Sequence, residues 1–352
     1  MLKKPCGTFD ETYAQDMAVV RTLYRKVLLS CLFICLFLLI PLLADNYFLS
    51  VMNIIGITVI AMMGLNILTG YCGLISVGHA AFIAIGAYAS AALSYHLGFP
   101  FWATLPGALL ATAILGLIVG LPSLRIKGFY VAVSTLAAHY IVIWLLLHGG
   151  DITKGVWGLP CENPVILGYT LKTERSMYFL IMGLAVVSTM LAFNLVRSRF
   201  GRALVAVRDN DIAAEFMGLN VFKVKLLAFI ISSTYAGLAG WLQAHYLGMI
   251  TIEQFPLMDS IWYLGMLIVG GMGSITGAIF GAFTLRLLAQ VVISLSPFVG
   301  KLVPALSGSS VAGITQVLFG LVILFFLVAE PRGLNHRWQV TLASFRLWPF
   351  PY

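Results

Sequence analysis

The run FLSVMNIIGITVIAMMGLNILT, residues 48–69, carries no charged residue and is apolar nearly all round. A helix of about 20 such residues, rising about 1.5 Å each, crosses a hydrocarbon core of about 30 Å. Working outward, comparable stretches fall at 27–43, 80–97, 101–121, 129–148, 178–196, 226–247, 256–272, 274–296 and 311–329. They predict an all-α polytopic membrane protein with about ten transmembrane helices. Composition agrees. Of 352 residues, 61% are hydrophobic and 10% charged, against about 45–50% and about 25% in soluble domains. No series of ten-residue segments alternates as lipid-facing strands would, which argues against a membrane barrel.

Charge predicts the orientation. Lys and Arg accumulate in cytoplasmic segments. With the N-terminus inside, sixteen of the 21 basic residues fall in segments 1–26, Arg125–Lys127, 197–225 and 330–352. Four fall outside (Lys154, Lys172, Arg175 and Lys301), and Arg286 lies within a span. The expected organisation is a cytoplasmic tail over 1–26, one transmembrane domain over 27–329, and a cytoplasmic tail over 330–352. Loop 149–177 lies outside and loop 197–225 inside. Residues 1–26 are polar and Val27–Leu43 is long for a signal-peptide core, so it reads as an uncleaved first span. The net charge of +8 follows from these basic loops, and no basic stripe with interleaved aromatics points to nucleic acid. Five cysteines, Cys6, Cys31, Cys35, Cys72 and Cys161, imply no disulfide framework.

The inner loop RSRFGRALVAVRDNDIAAEFMGLNVFKVK, residues 197–225, contains a short helix. Asp209 or Asn210 can cap it, and acids at its start suit the helix dipole. Asp211, Ile212, Ala213, Ala214, Glu215, Phe216 and Met217 continue it, and Gly218 supplies a left-handed stop. Ile212, Phe216 and Met217 share an apolar face, which either rests on the membrane surface or docks in a partner's groove.

Two glycine-rich breaks echo each other. Gly70-Tyr71-Cys72-Gly73, with Ser76 and Gly78 beyond it, joins the second and third spans, and Gly270-Gly271-Met272-Gly273 joins the eighth and ninth. Paired interruptions mark a transport pathway, or both are tight turns. Gly273, Gly277 and Gly281 form a doubled G-x-x-x-G, a close helix crossing. Arg286 within a span must face protein or water, either as a structural pair, with Asp259 as the acid within the spans, or as a pathway contact. No phosphate-cradling P-loop occurs. Neither a compact metal spacing nor a G-x-S-x-G elbow is present. No catalytic residue, metal site or cofactor is expected, and any ATP energy must come from another chain.

Several motifs together resemble LivM-type permeases for branched-chain amino acids. They are Gly64–Gly73, Ser76–Phe82, Arg199–Ala203, Gly270–Ser274 and Glu330–Leu334. Ala213-Ala214-x-x-x-Gly218 is similar to the "EAA" coupling loop of ABC importer permeases, although Ile212 stands where that loop has glutamate and no Leu-Pro follows. The resemblance implies a ten-helix permease half in a bacterial inner membrane. It also implies a second, LivH-type permease, two cytoplasmic ABC ATPases and a soluble periplasmic substrate-binding protein facing loop 149–177. Related permeases serve urea or short amides. An ion-coupled secondary transporter is the alternative from another class, but such carriers hold acids near the midplane, which this chain lacks.

Overall fold

The computed structural model of the chain describes residues 27, 30–31, 33–124, 130–166, 168–302, 310–330 and 332–347. The tail 1–26, with Cys6, and the basic residues Arg125 and Lys127 lie outside the described residues. The chain forms two compact units, Met1–Ser50 and Val51–Tyr352.

In the first unit a π-helical turn, Cys35–Leu39, leads into a helical turn, Ile40–Leu43, which has Pro41 in its first turn. Ile34, Leu38, Leu42 and Leu43 are exposed, a surface suited to lipid. The expected span at 27–43 is described only in part.

The long helices are α1 (Asn46–Leu65), α2 (His79–Leu97), α3 (Phe101–Ser123), α4 (Tyr130–Leu147), α5 (Glu174–Arg197), α8 (Val221–Leu247) and α10 (Ile275–Leu302). Among the described residues these seven are long and apolar enough to cross a membrane. Their positions match the expected stretches; the expected count of about ten is looser. At 256–272 stands α9 (Leu257–Gly270), whose 14 residues fall short of the roughly 20 needed. At 311–329 stands α11 (Ser310–Ala329), with 20 residues. Two short helices, α6 (Arg199–Asp209) and α7 (Asp211–Phe216), fill the loop before α8. The mostly exposed α12 (Leu334–Leu347) follows α11.

α8 is the axis of the second unit. It packs along α2 and α3, which also pack on each other. The crossing is built from small residues, because lipid provides no hydrophobic drive between helices and close backbone packing must replace it. A Cβ added at Gly86 of α2 would stand 2.6 Å from the Gly237 Cα of α8, so neither helix tolerates a larger residue there. Phe229 and Trp241 of α8 and Tyr178 of α5 are fully buried. α9 and α10 form a hairpin in which Gly270 lies against Gly277 and Gly281, the close crossing expected of the doubled G-x-x-x-G.

The C-terminal end of α8 is held by buried polar side chains. His245 Nδ1 donates to the Glu162 carbonyl at 2.8 Å. That bond leaves Nε2 to accept, and Ser90 Oγ lies 3.0 Å from it. Trp241 Nε1 donates to Thr104 Oγ1 at 3.0 Å, and the Trp241 ring stacks on Phe101 at 4.4 Å. Beyond α8, β4 (Met249–Ile250) pairs antiparallel with β1 (Leu159–Pro160), Leu159 opposite Ile250. β2 (Val165–Ile166) and β3 (Tyr169–Thr170) form a small hairpin. Glu174 Oε2 accepts from Asn53 Nδ2 at 3.0 Å and Tyr246 Oη at 2.9 Å, joining α1, α5 and α8.

Candidate functional site

At the opposite end of α8 lies the segment between α5 and α8. Ser198 ends α5 and caps α6, its Oγ accepting from the Gly201 amide at 3.3 Å. α6 is strongly amphipathic, with Leu204 and Val207 buried three residues apart on one face. The sequence reading missed this helix, although the Ser198 cap and the 204/207 spacing were both legible. Asn210 then ends α6 and caps α7, its Oδ1 accepting from the Ala213 amide at 3.0 Å. Gly218 stops α7 with φ +85, and its amide donates to the Glu215 carbonyl at 2.9 Å. Lys225 Nζ lies 3.4 Å from Asp211 Oδ2 and ties α7 to the foot of α8.

α7 turns Ala214 inward, where it is buried, while Ala213 and Glu215 are exposed. Ile212, Phe216 and Met217 are 61%, 87% and 84% exposed. Among the described residues, then, three large apolar side chains at one short polar-flanked helix are left mostly uncovered. Large exposed apolar patches on a protein surface mark interaction sites.

The two glycine-rich breaks meet beside this segment. α1 runs on through a π-helical turn, Asn66–Tyr71. π turns leave carbonyls out of register and recur at functional positions. Asn66 reaches across to the second break: its Oδ1 accepts from the Gly273 amide at 3.0 Å and its Nδ2 donates to the Ser274 carbonyl at 3.0 Å. A Cβ at Gly70 would stand 2.5 Å from the Gly273 nitrogen, so the breaks touch backbone to backbone. Arg208, from the last turn of α6, closes the group. Its Nη1 donates to the Gly70 carbonyl at 3.0 Å, while Nε and Nη2 bind Asp209 Oδ1 at 3.0 and 2.9 Å.

Among the expected positions, Gly70, Gly73 and Gly273 cluster around Arg208. Gly270 faces α10, and Gly271 faces the Arg332 carbonyl and Asn335 at the start of α12. Thr276 Oγ1 adds a 2.7 Å bond to Asn335 Oδ1. Ser76 is buried, and Gly78 faces α4. Gly78 presses on the Thr135 carbonyl, and the Val77 amide donates to Thr135 Oγ1 at 3.0 Å. Arg286 Nε donates to Thr58 Oγ1 at 3.0 Å, and its guanidinium also hydrogen-bonds Tyr263 and faces Asp259, so it ties α1, α9 and α10. Asn66 and Arg208 carry the cluster, and the sequence reading singled out neither, because their partners lie 207 and 138 residues away. A cavity of about 550 Å³ opens beside Arg208, bounded by Cys72, Gly73, Val207, Asp211 and Lys225. Burial pushes the Cys72 thiol up to about 12, so it is protonated and weakly nucleophilic at neutral pH. The residues of this group offer no nucleophile–base pair; they link an exposed apolar surface to two broken helices.

Comparison with known proteins fits a transport component. A family model described as branched-chain amino acid transport system / permease component matches residues 47–327. The high-affinity branched-chain amino acid transport system permease protein LivM of Escherichia coli is 31% identical over 302 residues, 79% of this chain and 67% of that protein. A probable branched-chain amino acid transport permease protein LivM of Methanocaldococcus jannaschii is 25% identical over 234 residues, 64% of this chain and 67% of that protein. The autoinducer 2 import system permease protein LsrC of Salmonella paratyphi B is 29% identical over 236 residues, 62% of each chain. No solved structure matches. With helices built to cross a bilayer and the match covering most of its length, the chain belongs to the LivM-type permeases, the branched-chain amino acid transport system permease component family.

Proposed function

We propose that this chain is the translocation subunit of an ATP-driven importer in a bacterial inner membrane, and that Asp211–Gly218 is the helix that docks on a separate ATPase. The observation that carries the docking reading is the uncovered face of Ile212, Phe216 and Met217, set on a segment bonded directly to the helix breaks. In this reading the Arg208 end of α8 and both termini face the cytoplasm, as the basic-residue bias expects, and loop 149–177 faces a soluble binding protein. On the same reading the chain consists of a tail at 1–26, a permease domain at 27–329 and a tail at 330–352. A second, LivH-type permease and two ATPases complete the importer. The cargo is a branched-chain or related amino acid, supported by the printed function of the LivM relatives. The LsrC likeness supports a second reading in which the cargo differs within the same family.

The test is co-purification from the native membrane. Phe216→Asp puts a charge in the docking face, and the ATPases are expected to be lost while the permease still inserts. Retention of the ATPases at wild-type stoichiometry would remove the docking assignment. Ligand-stimulated ATP hydrolysis by the purified complex, screened with leucine, urea and autoinducer 2, then identifies the cargo.

A further inference from the structure

We propose that Arg208 is the positioning residue that carries ATPase movement into the membrane, by capping the broken end of α1 from within the docking segment. The inference rests on the docking reading above and concerns the step after docking.

The last carbonyls of a helix have no donor within the helix, and they carry the negative end of its dipole. At the end of α1 the Cys72 amide turns back to the Ile67 carbonyl at 3.1 Å and the Leu74 amide to the Leu68 carbonyl at 3.1 Å. The Gly70 carbonyl receives Arg208 instead. A cation supplied to the C-terminal end of a helix is favourable, but this one does not belong to α1. It comes from the last turn of α6, two residues before Asn210, whose Oδ1 caps α7 by accepting from the Ala213 amide. Asp209 holds the other edge of the same guanidinium. Charge-assisted bonds on both edges make the fork a short strut with defined direction. Its far end also abuts the second break, since a Cβ at Gly273 would stand 3.0 Å from Arg208 Nη1. Any rotation of α7 is therefore delivered through three consecutive residues, Arg208, Asp209 and Asn210, to the point where both breaks touch. The 550 Å³ cavity beside the guanidinium leaves it room to travel.

A residue that only stabilised the fold would not respond to nucleotide. The test therefore uses the full complex with its ATPases and reads maleimide labelling of Cys72 by mass spectrometry, with and without hydrolysable ATP. Cys72 is 2% exposed and neighbours Gly73, against which Arg208 packs, so it reports opening of the break. In the native complex the labelling rate is expected to rise about tenfold with ATP. Arg208→Ala should abolish that rise, by the loss of one charge-assisted bond worth about a tenfold factor, while the ATPases still co-purify. Arg208→Lys, which keeps a donor but not the fork, should restore part of it. Should Arg208→Ala fold poorly, Asp209→Asn on the exposed edge tests the same strut, with a loss of about threefold. Full ATP dependence in Arg208→Ala, loss of the ATPases from that variant, or no ATP dependence in the native complex would each overturn the strut. If Phe216→Asp retains the ATPases, the docking reading fails and takes the strut with it. Release of the ATPases by Phe216→Asp, together with an intact ATP response in Arg208→Ala, overturns the strut alone.

Discussion

The two ends of α8 are built differently. At the His245 end, neutral side chains buried among α2, α3 and α8 bond to one another: Ser90, Thr104, Trp241 and His245, roofed by the Glu162 carbonyl. At the Arg208 end, the contacts run from a few side chains to backbone, between two helices that stop and touch through glycine. The helix of 27 residues separates them by about 40 Å. A buried, fully bonded network is costly to open. A joint made of broken helices, a half-exposed arginine and an adjoining cavity is cheap to move. The comparison teaches that one fold can join a closed network at one end of a helix to a looser joint at the other, the contrast that the proposed ATPase-driven function calls for.

Variants at each end should separate stability from coupling. The largest stability loss is expected at the His245 end, where Trp241→Ala removes a fully buried indole and costs about 3–5 kcal/mol. Thermal unfolding of the purified chain in detergent measures it, and a loss below about 1 kcal/mol would break the contrast. Asn66→Leu is next. It strips partners from the Gly273 amide and the Ser274 carbonyl, at about 1–3 kcal/mol in all since both residues are only half-buried, and should also lower transport per ATP hydrolysed. Ser90→Ala should cost only about 1 kcal/mol, because Thr104 Oγ1 remains 3.2 Å from His245 Nε2, and should leave transport per ATP unchanged. Smallest of all in stability, within about 0.5 kcal/mol, is Phe216→Asp on the exposed face of α7.

The cysteines sharpen the contrast further. Burial pushes the Cys161 and Cys72 thiols up to about 12. A raised thiol pKa leaves little thiolate at neutral pH, so labelling of both should climb about tenfold per pH unit between 7 and 9. Cys161, beside His245 at 3.3 Å, should stay equally slow during ATP turnover, whereas Cys72 should not. Equal acceleration of both would mean that the His245 end moves too.

Much of the architecture was legible in residue order. The apolar runs located the long helices, because a helix satisfies its backbone locally and lipid solvates whatever apolar face remains. Asn210, Ala213–Ala214 and Gly218 placed α7 for the same reason: a cap, a helix-forming run and a left-handed stop act within a few residues. α6 was missed although its signals were local, because a basic loop between two spans reads first as a charge-bearing connector. Arg286 reads from sequence as either a pathway or a structural residue, because its partners Thr58 and Tyr263 lie far from it along the chain.

By itself, then, the sequence determined a bundle of membrane-crossing helices with two glycine-rich interruptions and an exposed short helix, since each depends on interactions only a few residues apart. Only the tertiary structure decided that the interruptions touch, that Asn66 clamps them and that Arg208 reaches Gly70. Those contacts join residues 207 and 138 positions apart, and which helix ends meet is settled by how small residues let the backbones pack.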